Sequence, residues 1–162
     1  EMLLTAIEIL CIAGYEHYEV SNYAKPGFRS RHNQIYWKGG DYFGFGVSAH
    51  SYIRKGWGIR RANSSNLTEY LNHINNKGTA VVDEEILSKE KAMGEAVFLG
   101  LRMMEGIVLN DFESRFGTGI ETAFTNAVEE LRTEGFLIYD KDNLKLTRKG
   151  LLFYNDVAIR FV

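Results

Sequence analysis

The chain has 162 residues, enough for one ordinary domain or two small ones, and its 45% hydrophobic content can fill a core. A net charge of −2 excludes the global basic excess on which phosphate binding depends, and no apolar run approaches the roughly 20 residues of a membrane span. A single cysteine, Cys11, cannot form an internal disulfide or hold an iron–sulfur cluster, which needs three or four thiolates; set in Ile9-Leu10-Cys11-Ile12-Ala13, it reads as a small core residue in a cytoplasmic protein.

Residues 2–13 place Leu3, Leu4, Ile7, Leu10 and Cys11 at helical spacing, with Gly14 as the C-terminal stop. The chain opens inside this pattern with no capping residue, as expected of a piece cut from a longer protein. Residues 15–23 read as a strand, and Lys25-Pro26-Gly27 as a turn. Residues 28–41 follow neither period and read as an irregular loop, the kind of segment in which function concentrates. Residues 42–53 read as a glycine-punctuated strand and 57–62 as a short one. A helix capped by Asn66 or Thr68 runs to about Asn76, with Leu67, Tyr70, Leu71 and Ile74 on one face, and ends at Lys77-Gly78-Thr79.

Beyond this point the pattern is mostly helical. Ser88 caps a helix to about Met103, with Ala92, Ala96, Leu99, Gly100 and Met103 inward. Helices are expected at 109–116 and 119–134, then strands at 136–139 and 144–146 around the turn Asp140-Lys141-Asp142-Asn143. Thr147 starts a last helix to about Phe161. Three helices followed by a hairpin is the layout of a winged helix. Its helix at 119–134 carries four acids and one Arg, which argues against DNA in favour of a protein partner or no partner. The whole is an α/β (α+β) pattern with a boundary between Gly78 and Ser88, giving domains at 1–80 and 81–162.

Two stretches carry chemistry. In Arg31-His32-Asn33-Gln34-Ile35-Tyr36-Trp37, an imidazole that can ligate haem iron stands beside two aromatic faces suited to a macrocycle. Arg29, Arg31 and Lys38 could meet propionates. A histidine hydrogen-bonded within an aromatic cluster would give the same pattern. In Gly44-Phe45-Gly46-Val47-Ser48-Ala49-His50, small residues would let a ligand approach the backbone; a tightly packed strand would look alike, and the spacing is not a dinucleotide fingerprint. His17, His50 and His73 are too scattered for a zinc site, and His73 reads as solvated.

Taken together, Tyr18-Glu19-Val20-Ser21-Asn22-Tyr23-Ala24-Lys25-Pro26-Gly27, then Arg31-His32-Asn33-x-x-Tyr36-Trp37, then Gly39-x-Asp41-Tyr42-x-Gly44-x-Gly46-x-x-Ala49-His50-Ser51 resemble the radical-SAM oxygen-independent coproporphyrinogen III oxidase family, in its haem-chaperone branch. Gly135-Phe136-Leu137 and Leu146-Thr147-x-x-Gly150 resemble the family's carboxy-terminal domain more loosely. The resemblance implies that residues 1–80 are the closing edge of a partial radical-SAM α/β barrel with an extension, and that 81–162 are a small winged-helix-like domain. It implies a [4Fe-4S] cluster and S-adenosylmethionine in the full-length protein, held by a cysteine loop absent here, so that this piece alone would be inactive and carry no bound cofactor or metal.

The same resemblance makes His32, Tyr36, Trp37 and Arg31 candidates for haem binding. It makes Gly44, Gly46, Val47, Ala49 and His50 candidates for the S-adenosylmethionine or substrate pocket. The implied partners are haem or porphyrin and a haem-acceptor protein, with no nucleic acid and no membrane span. The alternatives are a true oxidase, decarboxylating coproporphyrinogen to protoporphyrinogen IX, and a non-catalytic interaction module. An exposed barrel edge would let such a piece dimerise.

Overall fold

The computed structural model describes residues 2–162. In chain order the elements are α1 (Met2–Ile12), β1 (Glu16–Glu19), β2 (Asn22–Ala24), α2 (Arg31–Trp37), β3 (His50–Ile53), β4 (Ile59–Asn63), α3 (Leu67–Lys77), β5 (Val81–Ile86), α4 (Lys89–Gly100), β6 (Ile107–Val108), α5 (Leu109–Phe116), α6 (Ile120–Ala123), α7 (Thr125–Thr133), β7 (Leu137–Asp140), β8 (Asn143–Leu146), α8 (Arg148–Leu152) and α9 (Tyr154–Ala158), closed by a 3₁₀ turn at Ile159–Phe161. The mixture is α+β, as the residue pattern predicts. The described chain forms two compact units, one of residues up to Lys38 together with Met93–Val162, the other Gly39–Ala92.

In the first unit, α1 ends at Gly14, whose left-handed φ of 78° lets Gly14 N–H and Tyr15 N–H bond back to the carbonyls of Cys11 and Leu10. Leu3, Leu4, Ile7 and Leu10 are half-buried, as their spacing predicts, but Cys11 is exposed rather than in the core. The helix is apolar on more sides than one neighbour can cover, and Ile9 and Ile12 stay open with Cys11 between them. Residues 15–23 are two strands of an antiparallel hairpin rather than one strand, because Val20-Ser21 supplies a turn between Glu19 and Asn22. Residues 31–37 are a helix rather than an irregular loop: Ser30 accepts a hydrogen bond from Asn33 N–H at 3.2 Å and caps it.

The remainder of this unit has the winged-helix order, with one strand that the residue pattern does not announce. The two-residue β6 pairs with β8, giving a three-stranded sheet of order β6-β8-β7. Its core is Val97, Leu101, Ile107, Phe112, Phe116, Ile120, Val128, Leu131, Leu137, Leu144, Leu151, Val157 and Phe161. Two expected long helices are broken, each at a phenylalanine. Phe124 (φ −133°, ψ 40°) leaves the helical path between α6 and α7 and meets the Phe161 ring edge-on at 5.3 Å. Phe153 (φ −116°, ψ 29°) separates α8 from α9 and meets Phe136 at 5.8 Å. Packing of an aromatic ring overrides helix continuity in both places. On α4, Val97 rather than Ala96 is the fully buried residue, with Leu101 and Met103 just beyond the helix.

The second unit is an antiparallel sheet of order β3-β4-β5 with α3 connecting β4 to β5. Asn66 caps α3 through Glu69 N–H, and Gly78 ends it in the left-handed region. Strand β5 is not foreseen because Asp83, Glu84 and Glu85 mask Val81, Val82 and Ile86. The acids sit opposite cations: Arg61 pairs with Glu84 at 2.6 Å and Arg60 with Glu85 at 3.5 Å across the ladder. Lys91 also reaches Glu85, and its hydrogen bond is the main cause holding that carboxyl below its usual value. The apolar face of α3 stays open, with Leu67, Leu71 and Ile74 exposed. His73 is half-buried beside Glu69 and Lys77 rather than solvated.

Of the stretch expected to be one strand at 42–53, only His50–Ile53 is regular. Tyr42 makes an isolated bridge to Tyr52, and 43–49 is a loop. Ser48 and Gly46 have positive φ, which no strand accommodates.

Candidate functional site

Helix α2 divides its residues by direction. His32 and Tyr36 are one turn apart, so their side chains share a face, and the rings meet edge-on with centroids 4.8 Å apart. His32 is exposed and Tyr36 half-exposed. Trp37 lies on another side and packs against buried Tyr18, Ala24 and Met103. The structure therefore brings His32 and Tyr36 together outward and turns Trp37 inward.

The cations around α2 are likewise sorted. Arg29 pairs with Glu16 at 2.9 Å and lies 4.0 Å from Glu105; Lys38 lies 3.5 Å from the same Glu105. Glu105 thus ties down the segments that enter and leave the helix. Arg31, exposed beside His32, makes no ion pair among the described residues. Of the three cations that could meet a propionate, it alone is uncommitted in that sense.

Behind the helix lies a charge pair that residue spacing does not reveal. Glu19 is fully buried and accepts from Arg102 Nη2 at 3.2 Å and from Asn22. Arg102 also donates to Ser21 Oγ at 3.2 Å. Its guanidinium carbon stands 4.1 Å from the centre of the Trp37 ring and 5.2 Å from that of Tyr154. The backbone follows: Val20 N–H bonds Arg102 O at 2.9 Å and Met104 N–H bonds Tyr18 O at 3.1 Å, adding a short rung to β1. Tyr154 donates to the carbonyl of Phe98 at 2.7 Å. Burial pushes its phenol above the usual value, against the opposing pull of Arg102. Glu19 lies within Tyr18-Glu19-Val20-Ser21-Asn22-Tyr23, and that run is the signal for it in the sequence. Arg102 near a helix end reads only as a complement to the helix dipole.

The glycine segment belongs to the second unit. Asn63 on β4 donates from Nδ2 to Gly46 O at 2.9 Å and Gly44 O at 3.4 Å, and Ser48 N–H bonds Ser64 O at 3.0 Å. These bonds hold the loop in place of a strand ladder. Gly44 packs against the backbone of His50: a methyl group there would lie 2.2 Å from His50 O. Gly46 has open space where its side chain would be, at φ 107°. Ala49 is half-buried, Val47 and His50 are exposed, and Phe43 and Phe45 point largely into solvent.

The chain's one thiol is exposed on α1, and among the described residues no group of three or more His, Cys, Asp or Glu could hold a metal. An iron–sulfur cluster has no ligand set in these residues. No helix of the described residues is long and apolar enough to cross a membrane.

The α+β arrangement, with a winged-helix-like unit behind a short hairpin and motif helix, has a solved counterpart of the same fold. It superposes with a TM-score of 0.75 and 20% identity on the structure described as "Coproporphyrinogen III oxidase (HemN) from Escherichia coli is a Radical SAM enzyme", covering 98% of this chain and 39% of that one. Residues 87–153 match the HemN C-terminal domain model. The chain is 35% identical over 156 residues to the heme chaperone HemW of Lactococcus lactis and 34% identical over 149 residues to that of Bacillus subtilis. It aligns with 96% and 92% of its own length and spans 40% and 38% of theirs. A Synechocystis heme chaperone HemW is 40% identical over 101 residues, 62% of this chain and 24% of that one. Residues 87–153 are thus a HemN C-terminal domain, and nearly the whole chain is similar to the carboxy-terminal part of heme chaperones named HemW.

Proposed function

We propose that this chain is the cargo-presenting part of a haem chaperone, and that haem docks on the outward face of α2. His32 supplies an imidazole to the iron, Tyr36 sets its ring against the edge of the macrocycle, and Arg31 meets a propionate. The observation that carries this is the pairing of exposed His32 with Tyr36 on one helix face beside an uncommitted Arg31, in a chain whose relatives are named heme chaperones. Trp37 serves the site from behind, as an anchor. The second unit's loop, opened at Gly46, takes part in S-adenosylmethionine or substrate binding in the full-length protein. There residues 1–80 close the edge of the radical-SAM barrel and 81–162 form the carboxy-terminal domain. The full-length protein supplies the [4Fe-4S] cluster and works in the cytoplasm, where an exposed thiol such as Cys11 stays reduced.

Hemin titration of the full-length protein, followed by its Soret band, tests this reading. His32→Ala should weaken binding by about tenfold or more, the scale of ligand-shell changes at metal sites. Equal binding by the variant would remove His32 from the role. Sustained anaerobic conversion of coproporphyrinogen to protoporphyrinogen would instead favour an oxidase.

A further inference from the structure

We infer that Arg102 is the positioning residue of α2: it clamps Trp37 from the loop after α4 and so sets where His32 and Tyr36 point. The inference rests on the reading of α2 as the haem-binding helix. A helix of seven residues is too short to hold its own orientation. Its rotation about its axis is decided by what grips the side chain that points inward, and that side chain is Trp37. One grip is the apolar cluster of Tyr18, Ala24 and Met103. The other is the Arg102 guanidinium, 4.1 Å from the ring centre, where a flat cation meets the negative face of an indole.

Arg102 can act as a fixed point because it is itself held on several sides. Fully buried Glu19 binds its Nη2, Ser21 shares the same nitrogen, and its backbone carbonyl is bonded by Val20 N–H. Tyr154, on α9, lies on the guanidinium and is anchored through its hydroxyl to Phe98 of α4. The clamp therefore runs from the carboxy-terminal helices through Arg102 to Trp37. Side chains on one helix keep fixed angles to each other, so a slipped Trp37 would carry round with it both Tyr36, its neighbour, and His32, one turn before Tyr36. Glu105, paired with Arg29 and Lys38 on either side of α2, confines the helix along its length but leaves its rotation to Trp37.

The test uses the full-length protein with hemin as probe. Arg102→Met alone leaves the Glu19 carboxylate buried without its partner and could unfold the region. The pair Glu19→Leu with Arg102→Met removes both charges at similar volume, a change that buried ion pairs often tolerate. In this pair the melting temperature should stay close to the parent's, amide exchange across residues 31–37 should accelerate without hemin, and hemin affinity should fall by about 10- to 100-fold. The Soret band should shift toward that of His32→Ala. Arg102→Lys is the second variant: it keeps a cation against Glu19 but has no flat fork to lay on Trp37, so exchange across 31–37 should again accelerate in a folded protein. Parent-like exchange across 31–37 in either folded variant overturns the inference whatever hemin does. Faster exchange with parent-like hemin affinity and Soret band overturns it too, since the clamp would then serve the fold alone. If His32→Ala itself binds hemin as the parent does, the haem reading fails separately, and the exchange result alone decides whether Arg102 holds α2.

Discussion

Gly44 and Gly46 stand two residues apart in one motif, yet they serve different ends. Gly44 is small because the backbone of His50 occupies the space a side chain would take; Gly46 has a left-handed φ and nothing near it. Gly44→Ala should therefore cost about 1–3 kcal/mol through overpacking, and Gly46→Ala about 1 kcal/mol through backbone strain alone. Urea denaturation of the two variants measures both. Only the second glycine leaves room for a ligand to come close. A similar division separates Arg31 from Arg29 and Lys38. Composition makes the three cations equivalent, and only the position of Glu16 and Glu105 tells which two are engaged. The exposed Cys11 follows the same logic. Its neighbours are apolar, but burial depends on how many sides of α1 find cover, and spacing alone does not say.

At the level of elements, the side-chain caps Asn66, Ser88 and Thr147 are legible in the sequence. Thr147 accepts from Gly150 N–H at 3.0 Å and donates to Gly135 O at 2.7 Å, joining the start of α8 to the turn before β7. Thr147→Ala should lose about 1–2 kcal/mol, toward the upper end for a cap because the second bond goes with it; thermal unfolding checks this. Ser30, by contrast, was hidden in a run of aromatics and cations, so α2 looked like a loop. The breaks at Phe124 and Phe153 are tertiary in origin and leave no local mark. The β7–β8 turn carries a pH-dependent contact: Lys145 holds the Asp140 carboxyl below its ordinary 3.8, chiefly by a hydrogen bond. A depressed carboxylate contributes its stability above the unfolded value and loses it as pH falls through the folded one. Asp140→Asn should lower the urea midpoint slightly at neutral pH, with the gap to the parent closing as pH falls below the ordinary carboxylate value.

Across the whole chain, the sequence blocks within residues 15–63 carry a likeness to a family, and the match of 87–153 to the HemN C-terminal domain agrees with the looser likeness of the second half. What the blocks do not contain is the physical link between the motif helix and the carboxy-terminal domain. Glu19 and Arg102 lie far apart in sequence, and their pairing becomes visible only when the loop after α4 folds against the β1–β2 hairpin. In the proposed reading, that pairing makes the winged-helix-like domain the support behind the helix that presents His32. The same support predicts alkaline sensitivity. Burial raises the Tyr154 phenol, so the stability it contributes is complete below about pH 10 and is lost as pH rises further; Tyr154→Phe should flatten that loss in alkaline denaturation curves.

The measurement that bears most directly on the central claim is the electron paramagnetic resonance spectrum of the full-length protein loaded with ferric hemin, compared with that of its His32→Ala variant. The account predicts a signal from histidine-ligated iron in the parent that is replaced by a different coordination state in the variant. Identical spectra from the two would contradict it.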